Sequence, residues 1–289
     1  MNILILTATN ERHNYFASKI IEAFPNDNIS IVREEKRGVK IIGGNFIKRA
    51  KRKYNQWIMK CAANLFSGNI KRFLEEKKEI ETVFFNEESK NFENNYMHKI
   101  KATVRRKESI NSLKWIEFIK SIKPDIITVM GTSLLGSEII NISKLASINM
   151  HTGLSPYYRG SMTNLWPIIN KEVELCGVTI HKLSKGIDSG EIVYHGQPKI
   201  DKNDTFATIN CKVIIKGTEL MIKAITDAIK GTLNSYPQNM KIGRLYFNNQ
   251  FNDYIVSKYY KIIEKGYINN FANDKILRKD VRLHVNPSS

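Results

Sequence analysis

Apolar residues fall into short continuous runs that alternate with longer stretches of helical spacing. Asn2–Thr9 is a β-type run, followed by a helix-like stretch through Phe24 and a second strand candidate at Ile29–Arg33. This β-α-β opening predicts a parallel sheet. In Phe46–Leu65, residues Phe46, Ile47, Ala50, Tyr54, Trp57, Ile58, Cys61 and Leu65 share one helical face, and Lys48, Arg49, Lys51, Arg52, Lys53 and Lys60 fill the rest. Helical character continues around Lys71–Glu81, whereas Asn86–Asn95 reads as a polar loop. Further on, Lys99–Val104 suits a strand and Ser112–Ile122 a helix that Pro124 terminates. Asp125–Met130 is continuously apolar after its first residue, as a central strand of a parallel sheet would be. Ala146–Met150 is the next strand and Asn164–Asn170 a helical return. Two more strands are predicted at Gly177–Leu183 and Glu191–Ile200, and the longest helix of the second half at Phe206–Lys230.

The predicted fold class is α/β: a Rossmann-like, mostly parallel sheet flanked by helices, with a small C-terminal appendage. Residues 1–232 form the main domain, with a basic helical insert at about 45–82, and residues 233–289 form the appendage. The first β-α turn, Thr9-Asn10-Glu11-Arg12-His13, lacks the glycines of a dinucleotide-binding turn, which disfavours such a site.

Charge narrows the partners. Forty-five Lys and Arg against 28 Asp and Glu leave +17, which favours nucleic acid, phosphorylated small molecules, polyglutamylated cofactors or an anionic membrane face without choosing among them. The basic residues of 46–65 fit either a solvated helix face or an anion-contacting one. Cys61, Cys176 and Cys211 are widely spaced, so neither a disulfide framework nor a metal site is expected. No leader-like N-terminus or membrane-length apolar run is visible, and a cytoplasmic location is expected.

The candidate chemistry lies in two elements. In Ile148-Asn149-Met150-His151, Asn149 and His151 are two residues apart in a strand and point to the same side at its C-terminal end, where open α/β sheets place ligands. In Lys185-Gly186-Ile187-Asp188-Ser189-Gly190, two glycines bracket an aspartate between strands. Each alone also has a structural explanation: a satisfied strand-end histidine, and ordinary turn chemistry. Together, the order Asn149-x-His151, then Leu154-x-Pro156-x-x-x-Gly160, Gly177-Val178-Thr179-Ile180 and Gly186-x-Asp188-x-Gly190 resembles the formyltransferase family. That family includes methionyl-tRNA, glycinamide ribonucleotide and sugar N-formyltransferases.

The resemblance implies a 10-formyltetrahydrofolate-dependent N-formyltransferase with Asn149, His151 and Asp188 as its catalytic trio. It implies that Asn149 and His151 stabilise the oxyanion while Asp188 orients His151 and helps remove the amine's proton. The pterin would lie against Met130, Gly131, Thr132, Ser133, Leu134 and Leu135 and against Gly186 and Ile187. No metal is called for. His151-Thr152-Gly153-Leu154-Ser155-Pro156 has glycine where methionyl-tRNA formyltransferases usually have serine, and the 57-residue tail is short for a tRNA-binding barrel. The form resembles formyltransferases of bacterial surface-sugar and lipopolysaccharide pathways. The expected acceptor is therefore a small-molecule amine on a nucleotide-linked sugar, with a homodimer compatible and tRNA disfavoured. Methionyl-tRNA formylation and a non-catalytic formyltransferase-like binding module remain the alternatives. Tyr157, Tyr158 and Arg159 suit stacking or phosphate contact as well as packing.

Overall fold

A computed structural model describes residues 1–35, 56–274, 281 and 283. Its centre is a seven-stranded sheet of order β3-β2-β1-β4-β5-β7-β8. The strands are β1 (Asn2–Ala8), β2 (Asn28–Glu34), β3 (Ile100–Val104), β4 (Ile126–Met130), β5 (Ala146–His151), β7 (Val178–Lys182) and β8 (Ile192–Gly196). The first five are parallel, and β7 and β8 join antiparallel. The mostly parallel α/β sheet is therefore as expected. All five residues of β4 are buried, which is why its sequence is apolar apart from Thr128 rather than alternating.

Period-two alternation divides the core between the two faces. Ile3, Ile5, Ile126 and Met130 join one cluster with residues of α1 (Glu11–Ala23), α2 (Gln56–Asn95), α5 (Leu165–Ile169) and α6 (Phe206–Lys230). Leu4, Leu6, Ile127 and Val129 join a second cluster with α3 (Leu113–Ile122) and α4 (Ser137–Ile140). Helix α6 matches its predicted span because both ends carry signals: a Thr205–Thr208 capping box starts it, and Gly231 in the left-handed region ends it.

One expectation is overturned. Asn86–Asn95 is not a polar loop but the last part of α2. Phe85, Ser89 and Phe92 are buried along one helical face, and Asn14 Nδ2 of α1 donates to Ser89 Oγ at 2.8 Å. Packing against α1 keeps this polar sequence helical. Of the predicted basic helix Phe46–Leu65, residues 46–55, with Lys48, Arg49, Lys51, Arg52 and Lys53, lie outside the described residues; 56–65 belong to α2.

Beyond α6 the chain returns to the same body. β6 (Tyr158–Gly160) pairs in parallel with β9 (Arg244–Tyr246), and neither strand was anticipated. Helices α7 (Asp253–Glu264) and α8 (Tyr267–Ala272) bury Val256, Tyr259, Ile262, Ile268 and Phe271 in the first core cluster. Tyr259 meets Phe73 of α2 edge-on at 5.4 Å and accepts the Phe206 N–H of α6 at 3.0 Å. Among the described residues, no helix is long and apolar enough to cross a membrane.

Candidate active site

The C-terminal end of β5 carries Asn149 and His151 on one side, and the loop between β7 and β8 brings Asp188 to them. His151 Nδ1 lies 3.3 Å from Asp188 Oδ2, while its Nε2 lies 3.0 Å from the Tyr158 carbonyl of β6. The ring therefore sits between two acceptors, so a second ring proton would find a partner already in place. Burial pushes His151 below the usual imidazole range, against the upward pull of the Asp188 carboxylate. Burial would raise the Asp188 carboxyl. The neighbouring His151 and His181 rings and the Gly160 N–H outweigh it and hold Asp188 well below the usual carboxylate range. The Gly160 N–H donates to Oδ2 at 2.9 Å.

His181, which sequence reasoning passed over, completes the group. It stands opposite Asn149 across the β5–β7 pairing and is 3% exposed. Its Nδ1 lies 2.8 Å from the Lys182 carbonyl and its Nε2 lies 3.0 Å from Asn149 Nδ2. A ring proton on Nδ1 donated to that carbonyl leaves Nε2 as the acceptor, and this fixes the orientation of the Asn149 amide. One Nδ2 hydrogen then goes to His181 and the other is left for a ligand. The signal was present: His181 directly follows the Gly177-Val178-Thr179-Ile180 run, on a strand whose antiparallel register only the fold supplies.

The glycine at 153 has a steric cause. A Cβ there would lie 2.5 Å from His151 Nε2 and 2.6 Å from Thr163 Oγ1, so Thr163 fills the place a serine side chain would need. Gly160, with φ of 95°, brings its backbone against the Tyr246 carbonyl, where a Cβ would stand 2.1 Å away. Tyr158 is packed rather than presented to a ligand: it is 1% exposed, bonds Glu172 through its hydroxyl and stacks on Tyr246. Arg159 reaches the Ile187 carbonyl at 3.4 Å.

The loop proposed to meet the pterin leaves the sheet beside the trio, since Val129 is in register with Asn149. Met130 and Leu135 are buried, so main chain is what they offer a ligand, and Leu134 is 56% exposed. Gly131 turns the chain with φ of 72°, Thr132 is half-buried and Ser133 exposed. Glu34 accepts both the Ser133 N–H and its hydroxyl at 2.7 Å, and Asn111 bonds the Leu134 carbonyl and the Gly136 N–H at 2.9 and 2.7 Å. Gly186 is exposed and Ile187 half-buried, on the loop of Asp188. The arrangement offers a fixed amide donor, a carboxylate–imidazole pair for a proton, and an apolar ledge at Leu134 beside pinned main chain.

Comparison with known proteins places the chain. The family profile described as Formyl transferase matches residues 45–225. The bifunctional polymyxin resistance protein ArnA of Wigglesworthia glossinidia brevipalpis is 34% identical over 155 residues, 53% of this chain and 23% of that protein. The methionyl-tRNA formyltransferase of Macrococcus caseolyticus is 34% identical over 137 residues, 47% of this chain and 44% of that one. The chain thus matches less than half the length of either relative. A sugar N-formyltransferase from Shewanella superposes with a TM-score of 0.54 at 17% identity, over 87% of this chain and 78% of that one. The N-formyltransferase of Helicobacter canadensis, in complex with folinic acid and dTDP-3-aminofucose, gives 0.54 at 19%, over 92% and 82%. With more than half of its length matched by the profile, this chain belongs to the formyl transferase family.

Proposed function

We propose that this protein transfers a formyl group from 10-formyltetrahydrofolate to a primary amine on a nucleotide-linked sugar, in the making of a bacterial surface polysaccharide. The observation that carries the reading is the convergence of Asn149, His151 and Asp188 beside the loop 130–135. In this reading Asn149 directs its free amide hydrogen at the formyl oxygen and stabilises the charge that develops there. The amine must arrive with a lone pair, and its proton passes to the His151–Asp188 pair, whose two flanking acceptors receive a doubly protonated ring. The amine nitrogen bonds the formyl carbon as the donor's N–C bond breaks, and the departing donor nitrogen takes up a proton. Leu134 and Ile187 supply apolar surface for the pterin, and the main chain of the loop reads its polar edge.

The sugar reading draws support from the Helicobacter canadensis enzyme with its bound sugar nucleotide. A second reading, formylation of methionyl-tRNA, is favoured by the sequence relatives that carry that activity in their names. The experiment sets 10-formyltetrahydrofolate against a panel of amino-sugar nucleotides and against methionyl-tRNA. Turnover is expected on one of the sugars. Replacing Lys48, Arg49, Lys51, Arg52 and Lys53 by Gln is expected to leave it within about tenfold, because a sugar nucleotide carries few phosphates for such residues to neutralise. Formylation of methionyl-tRNA that these five replacements abolish would overturn the sugar assignment.

A further inference from the structure

Asp188 is a non-glycine residue in the left-handed region, with φ of 46°, so its loop has to be held from outside. The holding group comes from beyond residue 232. Gln238 Nε2 donates to the carbonyl of Asp188 at 3.0 Å and to that of Gly190 at 2.5 Å, bridging the loop behind the carboxylate. Its own segment is docked on the edge of β8: Ile192 and Tyr236 exchange backbone bonds of 2.7 and 2.8 Å, and Ser235 Oγ donates to Glu191 at 2.6 Å. A few residues later the chain lies against β6, where Arg244 N donates to the Tyr157 carbonyl and Ser161 N to the Tyr246 carbonyl, both at 2.9 Å. That strand supplies the Tyr158 carbonyl to His151 and the Gly160 N–H to Asp188. One stretch, 235–246, thus ties the loop of Asp188 to the strand that frames His151. Gln238 Oε1 is buried without a partner among the described residues, so the side chain is held by its donor end alone.

We infer that Gln238 is a positioning residue, which sets the Asp188 carboxylate against His151 and makes the C-terminal segment part of the catalytic apparatus. The kinetic arm of the test rests on the formyl-transfer reading; a second arm does not. Gln238→Ala removes the donor, and Gln238→Glu keeps the shape but turns oxygen toward two carbonyls. Gln238→Lys restores N–H donors and has no acceptor to leave unpaired. The first two are expected to lose kcat by about 10- to 100-fold with the KM for 10-formyltetrahydrofolate within about twofold, since small misplacement of a catalytic group costs on that order. Gln238→Lys is expected to stay within about fivefold of wild type. The second arm reads the ring ¹⁵N shifts of His151, which report where its proton resides. Gln238→Ala and Gln238→Glu are expected to move them in the direction Asp188→Ala moves them. Wild-type kcat in Gln238→Ala, unchanged His151 shifts, or Gln238→Lys as impaired as Gln238→Glu would overturn the inference. If wild type transfers no formyl group, the function reading fails and the ¹⁵N shifts alone decide.

Discussion

Asn149 has two amide hydrogens, and His181 takes one of them. What remains is a single donor, so in the proposed reaction the pair, rather than the asparagine alone, would stabilise the oxyanion. Asn149→Ala is expected to lower turnover by roughly 10²- to 10³-fold, the usual cost of one preorganised donor, and His151→Ala by roughly 10²- to 10⁴-fold, the usual cost of a general base, both with unchanged circular dichroism. Turnover at saturating donor checks this, and wild-type rates in either variant would remove the mechanism. His181→Phe keeps an aromatic ring in the buried site but loses the acceptor that orients the amide. It is expected to reduce kcat about tenfold or more with little change in KM. An effect on KM alone would mean that His181 shapes binding instead.

At the scale of elements, the loop after β4 owes its shape to residues distant in sequence. Glu34, at the end of β2, takes two hydrogen bonds from Ser133, and Asn111 spans Leu134 and Gly136. This loop offers mainly main chain to a ligand, so its conformation should govern donor affinity more than chemistry. Glu34→Gln weakens charge-assisted bonds of the kind worth about 1.5–3 kcal/mol when intact. Glu34 is only half-buried, so solvent reduces that value, and a rise of roughly threefold to tenfold in donor KM at near-constant kcat is expected. Steady-state kinetics over a range of 10-formyltetrahydrofolate concentrations separates this outcome from a loss of turnover.

For the whole molecule, His151 and Asp188 couple stability to pH. Burial holds His151 below its reference value of 6.5, so below about pH 6.5 the unfolded chain binds a proton the folded chain refuses. The folded-state pKa of Asp188 is lowered from 3.8, so its contribution is complete above about pH 4 and is lost as pH falls further. Both effects make acid destabilising, in two stages. Melting temperatures measured from pH 7 down to pH 3 are expected to fall for wild type. His151→Gln should flatten the stage that begins near pH 6.5, and Asp188→Asn the stage below about pH 4. Wild-type curvature in both variants would place the titrating groups elsewhere.

Local pattern was enough for the parallel sheet, because largely apolar runs such as 3–6 and 126–130 record burial on both faces directly. It was enough for α6, whose caps are written in Thr205, Thr208 and Gly231. Asn149, His151 and Asp188 were singled out by the resemblance of an ordered motif, and the fold brings His151 and Asp188 within 3.3 Å. Other features were decided only by tertiary structure. Residues 86–95 are helical because their helix packs on α1, where Tyr15 meets Phe85 and Asn14 bonds Ser89, and not because their own composition favours it. His181 joins the site because an antiparallel register sets it opposite Asn149. Gln238 reaches Asp188 across 50 residues because the chain beyond α6 turns back along β8 and β6. Pairing between distant segments depends on the geometry of the folded chain, and a one-dimensional pattern of apolar and polar residues carries no distance between them.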